Sequence, residues 1–251
     1  MRYFLEISYK GTAYEGFQVQ PGKDTIQGSF NLVLSRILNR EIRTTGAGRT
    51  DAGVHALQSF LHFDHDSDLP ENFLYRINKM LPAEMAAKRL IRVADSAHAR
   101  YDALSRAYSY RIHFEKNPFL SGLSYYYPYP APDVDAMKKA LPLFRNFDDY
   151  AMLSKFNPDN KSTLCRVTRA ELINDPENKN LEFRVEANRF LHNMVRRMTG
   201  ALLAIGRHAL SSDQLRESLD KKIPLPVNET APPEGLYLTR VFYPFIENDK
   251  T

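Results

Sequence analysis

The sequence predicts a mixed α/β (α+β) protein made of two ferredoxin-like halves. Segments whose polar and apolar residues alternate, as in strands, are interspersed with segments of helical periodicity. The order strand, helix, strand, strand, helix, strand occurs twice along the 251 residues. We therefore expect residues 1–103 and 104–251 to form β-α-β-β-α-β halves. Their antiparallel sheets would merge and leave a central cleft between helices and loops, where a substrate would bind.

The first half begins with a strand, because residues 3–9 alternate between polar and apolar types. A helix is predicted over residues 25–39, whose large apolar side chains share one face. Asp24, with Gln27 three residues later, suits a capped start of this helix. Similar patterns predict a strand at 42–45, a strand at 57–63, a helix at 70–81 and a strand at 85–93.

The second half repeats this order, beginning with a strand from Tyr108 to Phe114 in which aromatic and aliphatic residues alternate. The later elements are a helix at 133–144, strands at 165–173 and 181–187, a long helix at 190–205, a short helix at 213–219 and a closing strand at 236–243. The two halves share no evident sequence identity, so the duplication rests on element order alone.

Composition excludes several classes of protein. Hydrophobic residues make up 43% and charged residues 25%, close to the averages of globular proteins, which argues against disordered or fibrous structure. Neither a secretion signal nor an apolar run near the ~20 residues of a membrane span is present. The single cysteine, Cys165, excludes an internal disulfide and a thiolate zinc cage, and the histidines show no metal-ligand spacing. We therefore expect a cytoplasmic protein without a bound metal or membrane contact.

Arginine is concentrated in two stretches, although the net charge is only +4. Residues 187–208 contain four arginines and no acidic residue, and residues 97–114 contain three arginines and one aspartate. Guanidinium groups match phosphate geometry, so these stretches would suit a nucleic-acid surface. The alternative is a set of scattered, solvated side chains.

The densest cluster of special residues is the loop at 46–56, which contains three glycines around Asp51. Taken alone, an aspartate before Ala52-Gly53 is more typical of a turn than of a catalyst. A dinucleotide-binding loop is disfavoured, because Asp51 replaces the third glycine of that fingerprint and a strand follows instead of a helix.

The nine residues of this loop, Gly48-Arg49-Thr50-Asp51-Ala52-Gly53-Val54-His55-Ala56, resemble the signature of TruA-type tRNA pseudouridine synthases. The resemblance extends over almost the whole chain, through Gly11-Thr12, Gly16-Phe17-Gln18, Arg106-Ala107-Tyr108-Ser109-Tyr110, Phe190-Leu191-His192-Asn193-Met194-Val195-Arg196 and Ala231-Pro232-Pro233-Glu234-Gly235-Leu236-Tyr237-Leu238. One departure is Phe17, where the family often has tryptophan, and residues 152–160 match nothing in the family's pattern.

The resemblance implies an isomerase that forms pseudouridine at positions 38, 39 and 40 of the tRNA anticodon stem-loop, without a cofactor and as a homodimer. It implies Asp51 as the essential nucleophile or base, Tyr108 stacked on the uracil and Arg196 paired with Asp51. On spacing alone, Tyr108 would be a core residue and Arg196 a solvent-facing one. Arg49 and His55 flank the aspartate and would either contact the substrate or only fix the loop.

Two other functions are weighed against this one. The fragment His113-Phe114-Glu115 matches part of a zinc-deaminase motif, but the paired cysteines of that motif are missing. An RNA-binding module without catalysis would use the same sheets and arginines. Asp51 favours the enzyme, because a carboxylate in a basic cleft weakens phosphate binding and needs another reason to be there.

Overall fold

A computed structural model describes residues 1–158 and 161–246, and its helices and strands confirm the mixed α/β class. The strands are β1 (Arg2–Tyr9), β2 (Thr45–Gly46), β3 (His55–Asp64), β4 (Met85–Val93), β5 (Ser105–His113), β6 (Tyr125–Tyr126), β7 (Val167–Asp175), β8 (Asn180–Ala187) and β9 (Leu236–Phe242). The helices are α1 (Ile26–Leu38), α2 (Phe73–Met80), α3 (Val134–Ala140), α4 (Leu143–Asn146), α5 (Met194–Gly206) and α6 (Ser212–Lys221).

The chain separates into two compact units. Unit 1 comprises Met1–Leu104 together with the described residues from Tyr237 onward, and unit 2 comprises Ser105–Leu236. None of the helices within residues 1–158 and 161–246 is long and apolar enough to cross a membrane.

The part of unit 1 from Met1 to Leu104 has the predicted order β-α-β-β-α-β. Strand β1 lies between β3 and β4 and is antiparallel to both, while β2 pairs with β3 antiparallel and β9 pairs with β3 in parallel. Residues on both faces of β1 are buried, and Glu6 is among them. Its carboxylate accepts a hydrogen bond from Arg89 Nε at 2.5 Å and one from Gln58 Nε2 at 3.2 Å, which satisfies a charge that would be costly to bury alone.

In unit 2, β8 lies between β5 and β7 and is antiparallel to both, and the short β6 is parallel to β5. Helix α5 supplies much of the core, because every residue from Met198 to Gly206 is buried. Helix α3 packs against it.

The start of α1 differs from the prediction by one residue. Its N-cap is Thr25 and not Asp24, and the Thr25 hydroxyl accepts a hydrogen bond from the Gly28 N–H at 3.3 Å. Gln27, predicted to complete a capping box, instead donates to the Thr44 carbonyl at 2.6 Å. Asp24 is exposed, and its carbonyl accepts a hydrogen bond from the Glu15 N–H at 2.9 Å.

The strand predicted at 42–45 is wrong except at its last residue, since β2 contains only Thr45 and Gly46. The backbone N–H of Ile42 donates to Ser35 Oγ at 2.8 Å and that of Thr44 donates to Asn31 Oδ1 at 3.0 Å. Side chains of α1 thus satisfy donors that a neighbouring strand would otherwise have taken.

Two helices of unit 2 also differ from their predictions. The single helix expected at 133–144 is divided into α3 and α4 at Pro142, which has no N–H to continue the helical hydrogen bonding. The helix expected from residue 190 begins at Met194, because Asn193 adopts a left-handed conformation with φ of 61°.

Candidate active site

Asp51 lies in unit 1 on a tight turn just before β3. The Val54 N–H donates to the Asp51 carbonyl at 3.2 Å, and Gly53, with φ of 79°, occupies the turn position that requires a positive φ. The Asp51 side chain is half-buried. Backbone atoms therefore close this turn.

Residues 9–17, which we call the clamp segment, hold this loop from one side. The Phe17 N–H donates to the Thr50 carbonyl at 3.0 Å, and the Tyr9 hydroxyl is 2.8 Å from Thr50 Oγ1. The Gly53 N–H donates to the Tyr14 carbonyl at 3.4 Å. The backbone on both sides of Asp51 is therefore anchored to the same segment.

The clamp segment approaches the loop most closely at Gly11. A Cβ atom added there would lie 2.0 Å from the Val54 carbonyl oxygen, far inside van der Waals contact. Only glycine fits at this position without moving the backbone. The close approach of the Val54 carbonyl thus explains why position 11, which belongs to the segments that resemble the family, is a glycine.

The two polar residues that flank Asp51 have different surroundings. Arg49 is exposed, whereas His55 is 1% exposed and stacks on the Tyr237 ring with centroids 4.5 Å apart. His55 Nδ1 accepts a hydrogen bond from the Gly11 N–H at 3.1 Å, so a neutral His55 carries its proton on Nε2. These contacts favour the loop-fixing alternative for His55. Substrate contact by Arg49 stays a prediction.

Tyr108 lies in unit 2 on β5, opposite Val185 of β8. Its ring meets the Phe190 ring edge to face, with centroids 5.0 Å apart, and it is half-buried. Tyr110, two residues along the same strand, is 0% exposed. Tyr108 thus keeps accessible surface that a pure core residue on this strand does not.

Arg196 lies in the first turn of α5 and is half-buried rather than solvent-facing. Its Nε donates to the Ala231 carbonyl at 2.7 Å and one terminal nitrogen donates to Asn193 Oδ1 at 3.1 Å. The Ala231 N–H in turn donates to the Arg196 carbonyl at 3.1 Å. These bonds orient the guanidinium before any substrate is present.

Tyr110 supports the same segment. Its hydroxyl donates to the Pro232 carbonyl at 2.6 Å, and burial raises the pKa of Tyr110 far above its usual value, so it remains a donor. Within unit 2, Tyr110 of β5 and Arg196 of α5 thus both bind the segment Ala231-Pro232, although the three are distant in sequence.

The arginines of residues 187–208 are largely engaged within unit 2. Arg197 donates to the Ser154 carbonyl at 2.6 Å, Arg207 forms an ion pair with Glu229, and Arg196 is held as described above. Glu229 thus offsets the charge of Arg207, whereas the bonds of Arg196 and Arg197 to carbonyl oxygens orient these guanidinium groups without neutralising them.

The aromatic stretch at 125–129 packs partly inside unit 2. Tyr127 is buried and Tyr129 is 61% exposed, and these rings help to line a cavity of about 410 Å³ next to Ala231 and Pro232. Within the described part of the chain, no group of three or more His, Cys, Asp or Glu side chains is arranged to hold a metal ion. Residues 159 and 160 of the segment 152–160 lie outside the described residues.

Sequence reasoning did not single out Tyr9, Tyr110 or Thr50 as parts of a site. The two tyrosines are indistinguishable from ordinary strand residues in the alternating pattern. Thr50 was named only as part of the signature.

Comparison with known proteins identifies the family to which this chain is similar. A family model described as tRNA pseudouridine synthase matches residues 7–102 and 144–244. Proteins named tRNA pseudouridine synthase A are similar over nearly the full length. That of Porphyromonas gingivalis is 36% identical over 246 residues, which cover 97% of each chain. That of Chromobacterium violaceum is 38% identical over 248 residues, covering 97% of this chain and 94% of the relative.

Among solved structures, the crystal structure of a Cbf5-Nop10-Gar1 complex matches with a TM-score of 0.35 and 13% identity. The match covers 94% of this chain and 57% of that one. This likeness is too small to support an argument.

Proposed function

The chain belongs to the tRNA pseudouridine synthase family and isomerises uridine to pseudouridine in tRNA, and we propose that Asp51 is the carboxylate that performs this reaction. The observation that carries the proposal is the placement of Asp51. It lies on a turn that backbone atoms close, and the backbone on both sides of it is anchored to the clamp segment, which fixes the place of the carboxylate.

The reaction breaks the bond between ribose and uracil N1 and forms a bond from the same ribose to C5, while C5 loses its proton and N1 gains one. No atoms or electrons are gained, so a nucleophile or base suffices and no redox cofactor is required. A carboxylate beside an extruded base meets this requirement. Asp51 acts as that nucleophile or base.

We propose that Arg196 pairs with Asp51 and that Tyr108 stacks on the uracil. A guanidinium near a carboxylate favours its ionised form, which offsets the cost of closing the site around it. The bonds from Arg196 to Ala231 and Asn193 support this role, because a pre-oriented cation needs no reorganisation during the reaction. The accessible surface of Tyr108 supports stacking, which contributes about 1 to 3 kcal/mol per base.

The two halves thus have different tasks in this proposal. Residues 1–103 supply the Asp51 loop, and residues 104–251 supply Tyr108 and Arg196. Arg49 is exposed beside the catalytic carboxylate and contacts a phosphate of the flipped nucleotide. We place the enzyme in the cytoplasm, together with its tRNA substrate.

We expect the modified positions to be uridines 38, 39 and 40 of the anticodon stem-loop. Pseudouridine at these positions should disappear from the tRNA of cells that lack the gene. The purified protein should restore it in the presence of EDTA, because the proposed chemistry uses no metal. The measurement is site-specific mapping of pseudouridine in both tRNA samples. An unchanged map would contradict the assignment of positions, and a strict requirement for added metal would contradict the cofactor-free chemistry.

We also propose a homodimer in which one tRNA contacts both subunits. The exposed rings of Tyr126 and Tyr129 offer apolar surface for a partner. Light scattering at micromolar concentration should give a mass near twice 28.9 kDa. A stable monomer with full activity would rule the dimer out as a requirement.

A further inference from the structure

We infer that Tyr9 is a positioning residue for Asp51 and acts through the Thr50 hydroxyl. The inference rests on the proposed catalytic role of Asp51 and adds a residue that does not touch the substrate. Its basis is the buried contact between Tyr9 Oη and Thr50 Oγ1, which are 2.8 Å apart.

The backbone of Tyr9 is held by strands on both sides. It is the last residue of β1 and is paired with Ala56 of β3 and Met85 of β4. The register to β3 shifts between Ile7 and Tyr9, which sets Tyr9 apart from the regular ladder. Its ring is 5% exposed and lies against Phe17 of the clamp segment, with centroids 6.2 Å apart. A ring held in this way presents its hydroxyl at a fixed point.

Thr50, whose hydroxyl forms this hydrogen bond with Tyr9, is itself buried, with 8% of its surface exposed. Its carbonyl accepts the Phe17 N–H at 3.0 Å, so both its side chain and its backbone are anchored. Thr50 directly precedes Asp51, and consecutive Cα atoms are only about 3.8 Å apart. A shift of the Thr50 backbone is therefore passed on to Asp51.

Such a displacement matters for the reaction more than for the fold. A misplacement of about 1 Å in a catalytic group can cost about 10²-fold in rate. Binding of tRNA depends on many contacts elsewhere and should change little. The inference thus predicts a loss in kcat without a matching change in KM, whereas a merely structural hydrogen bond predicts a lower melting temperature with unchanged kcat per folded molecule.

The test compares hydroxyl deletions at both ends of the hydrogen bond. Tyr9→Phe and Thr50→Val should each lower kcat by about tenfold or more with KM within about twofold, while Thr50→Ser, which keeps the hydroxyl, should retain near-normal kcat. The double variant Tyr9→Phe with Thr50→Val should lose no more than either single variant, because both remove the same bond. Tyr3→Phe is the matched control. It removes a hydroxyl from the same strand that contacts the Ser67 carbonyl instead, at 3.4 Å, and should leave kcat unchanged.

The outcomes separate this inference from the proposed function. If Asp51→Asn is inactive but Tyr9→Phe keeps wild-type kcat, Tyr9 is not a positioning residue and the proposed function stands. If Asp51→Asn is active, both are overturned. If the losses of the two single variants multiply in the double variant, Tyr9 does not act through Thr50. Should Tyr9→Phe fail to fold, the kcat of Thr50→Val is compared with that of Thr50→Ser. Equal kcat values would then show that the hydrogen bond does not position Asp51.

Discussion

Replacing Asp51 with asparagine is expected to abolish pseudouridine formation while the protein stays folded and still binds tRNA. The amide has nearly the same size as the carboxylate but is neither a nucleophile nor a base. The turn should survive, because it is closed by the hydrogen bond from the Val54 N–H to the Asp51 carbonyl, which asparagine retains. We expect a stability change within about 1 kcal/mol and tRNA affinity that is unchanged or higher, since a negative charge has been removed.

The measurement is release of tritium from tRNA labelled at uracil C5, together with tRNA binding and thermal melting of the same preparation. Asp24→Asn is the matched control. It removes the same charge from an exposed position in unit 1 and should leave tritium release at the wild-type rate. A folded Asp51→Asn protein that releases tritium near the wild-type rate would refute the catalytic assignment.

Replacing Gly11 with alanine should have the second largest effect, on stability as well as on activity. The new Cβ would lie 2.0 Å from the Val54 carbonyl oxygen and 2.7 Å from its carbon, and neither atom belongs to a flexible side chain. The backbone must therefore shift, which also displaces the Gly11 N–H from His55 Nδ1. We expect a loss of about 3 kcal/mol in the free energy of unfolding and a large fall in kcat, because the Asp51 turn moves with Val54.

Urea unfolding with kcat measured on the folded fraction checks this prediction. Gly48→Ala is the control for stability, because an added Cβ in that position meets nothing within 4 Å although it lies in the same loop. If Gly11→Ala unfolds at the same urea concentration as Gly48→Ala, the close approach of the clamp segment does not constrain the loop.

The sequence was informative wherever a local rule decides the structure. The strand predicted at residues 85–93 has the observed bounds of β4. The break between α3 and α4 was not predicted, although Pro142, which has no N–H, is a local reason for it. The signature around Asp51 indicated the family, which the comparisons confirm.

The sequence was less informative where a side chain from elsewhere satisfies a backbone group. Nothing in the order of residues shows that Ser35 and Asn31 of α1 take the N–H groups of Ile42 and Thr44, which prevents a longer β2. The roles of Asp51, Tyr108 and Arg196 in the reaction remain predictions, tested by the variants proposed here.

By itself, the sequence determined the class of fold, the positions of most helices and strands and the family, because these depend on periodicity and on contiguous motifs. The tertiary structure alone decided which residues hold the Asp51 loop. Tyr9 and Gly11 lie about 40 residues before Thr50 and His55 in the chain, and each pair meets only because β1 lies next to β3. The two hydrogen bonds, of 2.8 Å between the Tyr9 and Thr50 hydroxyls and 3.1 Å between the Gly11 N–H and His55 Nδ1, depend on how distant segments pack in three dimensions. A local sequence pattern contains no information about that packing.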